Sequence, residues 1–206
     1  MAKKFPDSIP VFPLSGVIYF PKTNLPLNIF EQRYLDLVND AYNKDKLMGM
    51  VQSKKESKSV YQVGCLGKIS DYQKSKDGRI LINLIGISRF KIVEEISNNK
   101  LYREFKVDYK DFNEDINKSS DLIDTRSLME RVKFFFKKNG LLLNWKEFEK
   151  LDQPQKINTL AMIAPITNEE KQKLLESISF KNKVETLENI ISFYLHETNY
   201  NNQTIQ

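Results

Sequence analysis

Ile9-Pro10-Val11-Phe12-Pro13-Leu14 is followed, after Ser15-Gly16, by Val17-Ile18-Tyr19-Phe20-Pro21. Both runs are rich in β-branched and aromatic residues, and turn residues bound them, which is how short strands read. The prolines fix φ and remove donors, so Pro13, Pro21 and Pro26 suit strand ends and chain entries into a curved sheet. Working outward, the same character recurs. Leu47–Gln52, Cys65–Tyr72 and Arg79–Ile87 are β-type runs, the last two joined by a hairpin signal at Asp77-Gly78. Phe90–Glu94 and Tyr102–Tyr109 follow, separated by Ser97-Asn98-Asn99-Lys100. One helix interrupts them. Phe30, Tyr34, Val38, Ala41 and Tyr42 recur at helical spacing. Short strands with a single helix favour a small, closed or nearly closed sheet over an open parallel one.

The character changes at Asp111–Ser120, a polar stretch without periodicity that reads as a linker. Beyond it the chain reads as all helical. Leu122–Lys138 stops at Asn139-Gly140, and Trp145–Leu151 is short. Pro154–Ile163 ends before Pro165, and Thr167 with Glu170 makes a capping box for a helix reaching about Ser177. The last helix covers Asn182–His196, with Val184, Leu187, Ile191 and Leu195 on one face, and Asn199–Gln206 is a polar tail expected to fray. The expected division is a β-rich domain over 8–110 and a helical one over 119–199.

Composition narrows the chemistry. The 206 residues are 40% hydrophobic and 29% charged, an ordinary globular balance. The N-terminus has no apolar signal region, and no apolar run is long enough to cross a bilayer, so no membrane partner is expected. Cys65 is the only cysteine, which fits a reducing compartment such as the cytoplasm. With His196 the only histidine, cysteine and histidine cannot between them build a zinc site. The net charge of +5 comes from 32 basic against 27 acidic residues spread along the chain, which reads as a solvated surface.

Catalytic patterns are missing. Gly67-Lys68 fails the phosphate-loop pattern, with Gln62 and Ile69 at the flanking positions. There is no Gly-x-Ser-x-Gly elbow. His196 reads as a helix-end cation and Cys65 as a buried structural thiol. Gly64-Cys65-Leu66-Gly67 matches the Gly-x-x-Gly of a nucleic-acid-binding loop, but it lies in a strand region. No cofactor, metal or catalytic residue is expected.

Leu25-Pro26-Leu27-Asn28-Ile29-Phe30-Glu31-Gln32-Arg33-Tyr34, read with the opening runs, resembles the N-terminal domain of Lon protease. The similarity is closer still to free-standing proteins built from that domain. It continues at Val63-Gly64-Cys65-Leu66-Gly67-Lys68-Ile69, at Asp77-Gly78-Arg79 and at Gly86-Ile87-Ser88-Arg89-Phe90. Asn158-Thr159-Leu160-Ala161 and Glu170–Glu176 carry it into the helical half. Asn28 and Gln32 depart from it, standing where free-standing relatives often have His and Pro. The resemblance implies an α+β fold, with a PUA-like β pseudo-barrel carrying one inserted helix and followed by an all-helical bundle. It also implies non-catalytic recognition of unfolded or extended polypeptides, as an adaptor or chaperone-like protein. A separate ATP-dependent protease is then an implied partner. The alternative is an RNA-binding PUA-like module.

Five residues stand out as candidates for peptide binding: Arg33, Arg89, Phe90, Phe134 and Phe136. Arg33 and Arg89 each adjoin an aromatic residue. Either makes an internal ion pair, with Glu31 or Asp36 for example, or captures a peptide carboxylate or backbone. Phe30 and Tyr34 read as core. Leu128, Val132, Phe135 and Phe136 share roughly one helix face, with Phe134 set off it, so Phe134-Phe135-Phe136 cannot all face one core. An exposed member would feed an apolar patch.

Overall fold

The computed structural model describes residues 5–54, 59–116 and 123–201. The chain divides into two compact units, Met1–Asn117 and Lys118–Gln206.

In the first unit, six strands form one sheet in the order β2-β5-β4-β3-β1-β6. They are β1 (Ser8–Leu14), β2 (Asn24–Ile29), β3 (Leu47–Gln52), β4 (Val63–Lys74), β5 (Ile80–Ile96) and β6 (Arg103–Asp108). A further pairing of β5 with β6 closes β5, β4, β3, β1 and β6 into a ring. The 17-residue β5 makes this possible. Its first half pairs with β2, Ile80–Ile85 against Ile29–Asn24, and its second half with β6 from Lys91 onward. Register shifts at Leu66/Gly67, Ile69/Asp71 and Ile92/Glu94 supply the bends that closure needs. Alternation then sends Ile9, Val11, Val51, Leu66, Phe90 and Phe105 into one buried cluster.

Several elements differ from the sequence reading. Val17–Phe20 is not a strand, although Ile18, Tyr19 and Phe20 are buried. The segment after it is held through Gly86, whose carbonyl accepts from Lys22 N–H and whose N–H donates to the Thr23 carbonyl, each at 2.9 Å. A Cβ on Gly86 would lie 2.2 Å from the Phe20 carbonyl oxygen, so this crossing requires glycine. The apolar run therefore marked burial, not a ladder. Conversely, Asn24–Ile29 is a strand, and Arg79–Ile87 and Phe90–Glu94 are parts of one.

Helix α1 (Gln32–Asn43) buries Tyr34, Leu37, Val38 and Ala41. The Tyr34 ring meets Phe12 edge-on at 4.1 Å. Phe30, expected in the core, precedes the helix and is 66% exposed.

The supposed linker also differs. Lys110–Asp115 forms a 3-10 turn that belongs to the first unit. Phe112 is buried, and Asp115 accepts from the Arg89 backbone N–H at 2.8 Å and from its Nε and Nη2 at 2.9 Å. The contact that ties this polar stretch to the sheet joins residues far apart in sequence, so its local composition gave no sign of it. Residues 117–120 of the expected linker, and Leu122, lie outside the described residues.

The second unit comprises α2 (Arg126–Lys138), α3 (Trp145–Phe148), α4 (Gln153–Ile163), α5 (Asn168–Glu176) and α6 (Phe180–Asn201). Capping boxes start α4, through Asp152 and Gln155, and α5, through Thr167 and Glu170. Helix α6 runs into the tail expected to fray. Leu128, Val132, Ile157, Leu160, Leu187 and Ile191 are almost fully buried. Among them Lys183, itself buried, donates from Nζ to Asn158 Oδ1 at 2.9 Å.

Candidate functional site

The first unit carries a groove of about 720 Å³. One wall is the end of β1, Phe12-Pro13-Leu14, with Ser15 just after it, and Tyr34 from the first turn of α1 faces it. The pairing of β1 with β6 ends at Val11, which leaves this stretch open on one side.

The rim is charged but internally matched. Arg103 donates to Glu95 through Nε and Nη2, both at 2.7 Å, in a two-pronged pair. These hydrogen bonds hold the Glu95 carboxyl below its ordinary range and raise the Arg103 guanidinium above its own. Arg33 donates to Glu31 Oε2 through Nε at 3.1 Å and Nη2 at 2.8 Å. Its guanidinium also lies 4.4 Å from the centre of the Tyr34 ring, a cation–π contact. Burial pushes the Tyr34 hydroxyl above its ordinary value, against the opposing pull of Arg33. The groove thus offers apolar and aromatic walls between two neutralised ion pairs. That arrangement presents apolar surface with its flanking charges already matched.

Of the five residues singled out from the sequence, Arg33, Arg89 and Phe90 belong to the first unit and Phe134 and Phe136 to the second. Arg33 lines the groove. Arg89 is 1% exposed, paired with Asp115 and set 4.5 Å from the Phe112 ring centre. Its carboxylate partner is therefore neither Glu31 nor Asp36. Phe90 is fully buried in the barrel core, and Phe136 is buried in the second unit. Burial removes these three from any surface a client could reach. Phe134 is 58% exposed on α2, in the other unit. Sequence reading missed Arg103 and Glu95, because only the pairing of β5 with β6 sets them side by side. Aromatic Phe12 was visible as a strand residue, but its place in the groove was not.

Among the described residues no group of three or more His, Cys, Asp or Glu side chains is placed to hold a metal ion. No helix among them is long and apolar enough to cross a membrane.

Comparisons with known proteins agree with this architecture. The Lon protease of Syntrophus aciditrophicus (strain SB) is 26% identical over 208 residues, covering 93% of this chain and 26% of that protein. The Lon protease of Bacillus thuringiensis (strain Al Hakam) is 24% identical, covering 89% of this chain and 24% of that protein. The chain thus spans about a quarter of the length of these relatives. Among solved structures, the Lon N-terminal domain protein from Xanthomonas campestris superposes with a TM-score of 0.65 at 20% identity, covering 90% of this chain and 97% of that one. The N-terminal domain of Mycobacterium avium complex Lon protease gives 0.67 at 16% identity, covering 90% and 98%. At these identities the structures show a shared α+β fold. The profile of the ATP-dependent protease La (LON) substrate-binding domain matches residues 8–192, most of the chain, and the protein belongs to that family.

Proposed function

We propose that this protein recognises unfolded or extended segments of other proteins and does no chemistry on them. The observation that carries this reading is the groove at the end of β1. Its walls of Phe12, Pro13, Leu14 and Tyr34 take apolar side chains, and its rim charges are already matched. A folded protein hides such side chains, whereas an unfolded one exposes them. Membership of a substrate-binding family supports the same reading. Adaptor or chaperone-like holding in the cytoplasm, and delivery to a separate ATP-dependent protease, would follow from such binding. Phe134 offers a second apolar contact on the helical unit.

The test is fluorescence anisotropy at two salt concentrations. One probe is a labelled, permanently unfolded polypeptide, and the other a labelled single-stranded RNA of similar size. Saturable binding of the polypeptide that tolerates salt, and that Arg33→Ala weakens about fivefold, is expected. Binding of RNA alone, falling steeply with salt, would replace this reading with nucleic-acid recognition.

A further inference from the structure

Strand β6 covers only the first half of β1, with Ser8–Val11 paired to Lys106–Arg103. Phe12, Pro13 and Leu14 remain paired with β3 on their other side, in register with Met50, Val51 and Gln52. The Leu14 carbonyl accepts from Ser53 N–H at 3.2 Å, so the Leu14 backbone is turned towards β3. Backbone polar groups alternate sides along a strand. The Pro13 carbonyl is therefore turned the opposite way, towards the open side that the groove occupies. Ser15 follows in the bend just after the strand, and its N–H has no hydrogen-bond partner among the described residues. An acceptor on the uncovered strand and a donor just beyond its end match another extended backbone.

We infer that the open half of β1 pairs with the backbone of an extended client segment, laid antiparallel to β1 and end to end with β6. The inference rests on the function proposed above and says how that groove holds its client. Charge favours this occupant. Arg33 and Arg103 already meet carboxylates, so a polyanion finds no unmatched guanidinium there, whereas an uncharged backbone fits between the pairs. Proline at position 13 sets the strength. It keeps an acceptor and removes a donor, the device by which exposed sheet edges avoid permanent partners. Pairing is thus partial and reversible, which suits a client that must be released.

The probe is a labelled, uncharged ten-residue peptide of alternating Leu and Thr with blocked ends, titrated against the whole protein. Two versions are compared, N-methylated at every Leu or at every Thr. Side-chain facing and N–H direction are linked in a strand, so only one version loses the N–H groups that face β1. That version is expected to bind about tenfold more weakly, and the other like the parent. Pro13→Ala adds a donor and is expected to tighten the parent peptide about fivefold, a gain that misfolding cannot mimic.

Equal affinity of the two methylated versions, whether both kept or both lost, overturns strand pairing. So does failure of the parent peptide to bind. If the unfolded polypeptide still binds in either case, the function proposed above stands without this mode. If Pro13→Ala strengthens self-association and leaves peptide binding unchanged, the edge belongs to a second copy and the inference falls.

Discussion

The two units are ordered by different means. The barrel unit depends on pairings between residues distant in the chain: Ser8 with Lys106, Asn24 with Ile85, Arg89 with Asp115. The helical unit is specified more locally, with Thr167 and Glu170 three residues apart and Asp152 and Gln155 likewise. A defect should therefore spread differently in each. In the barrel it removes a remote partner, and in the helices it frays one element. Trp145, the only tryptophan, lies in the helical unit, so its fluorescence reports that unit by itself.

The largest effect is expected from Asp115→Ala. Arg89 is 1% exposed, and losing its partner leaves a buried, unpaired guanidinium, at a cost of about 3–5 kcal/mol. Urea denaturation followed by barrel-unit amide signals should shift to lower denaturant, while the Trp145 transition stays put. A matching shift of Trp145 would show that the two units unfold as one, and the contrast between them would fail. Leu187→Ala is the reciprocal test. Leu187 is fully buried in α6, and its truncation should cost about 3 kcal/mol in the Trp145 transition alone.

How far each unit could be read from the sequence follows the same divide. Thr167 and Glu170 announced α5 because both halves of the signal sit within one turn, and the start of α4 was placed within one residue by Pro154. In the barrel, the runs at Leu47–Gln52 and around Cys65 were visible from their β-branched and apolar residues. Closure was not, because it depends on β5 serving two partners, and no short window contains β2, β5 and β6 together. The same reason hid Asp115, which in sequence is one more charge in a polar stretch. For the groove, Arg33 was legible through its setting in Glu31-Gln32-Arg33-Tyr34. Arg103 and Glu95 required the register of strands whose pairing no local pattern encodes. Arg89 and Phe90 were conspicuous for the opposite reason: they are distinctive because the interior needs them.

Two smaller effects sharpen the contrast. Thr167→Ala removes one half of the capping box and should cost about 1 kcal/mol, read as loss of helicity at the start of α5 in amide exchange. Protection losses extending through the whole helical unit would show that its order is less local than argued. The smallest effect concerns the groove rim. Arg103 holds the Glu95 carboxyl below its ordinary value, so the pair stabilises the fold above the ordinary glutamate range. That contribution is lost as pH falls through the depressed value. Glu95 is 48% exposed, so solvent screening keeps the contribution small. The stability difference between the native protein and Glu95→Gln should therefore shrink towards zero on acidification. A difference that grows at low pH would contradict the sign.

Closing the ring also sets a timetable for synthesis. Strand β1 is made well before its partner β6, which begins only at Arg103. At roughly 5–20 residues per second, β1 waits about 5–20 s on the ribosome before β6 exists. During that interval Ile9 and Val11 have no finished barrel to enter, and the whole of β1 is as open as its end remains in the mature protein. A chain released before Arg103 would keep that edge and would itself resemble an unfolded client. A protein proposed to hold such chains could then gather its own incomplete copies.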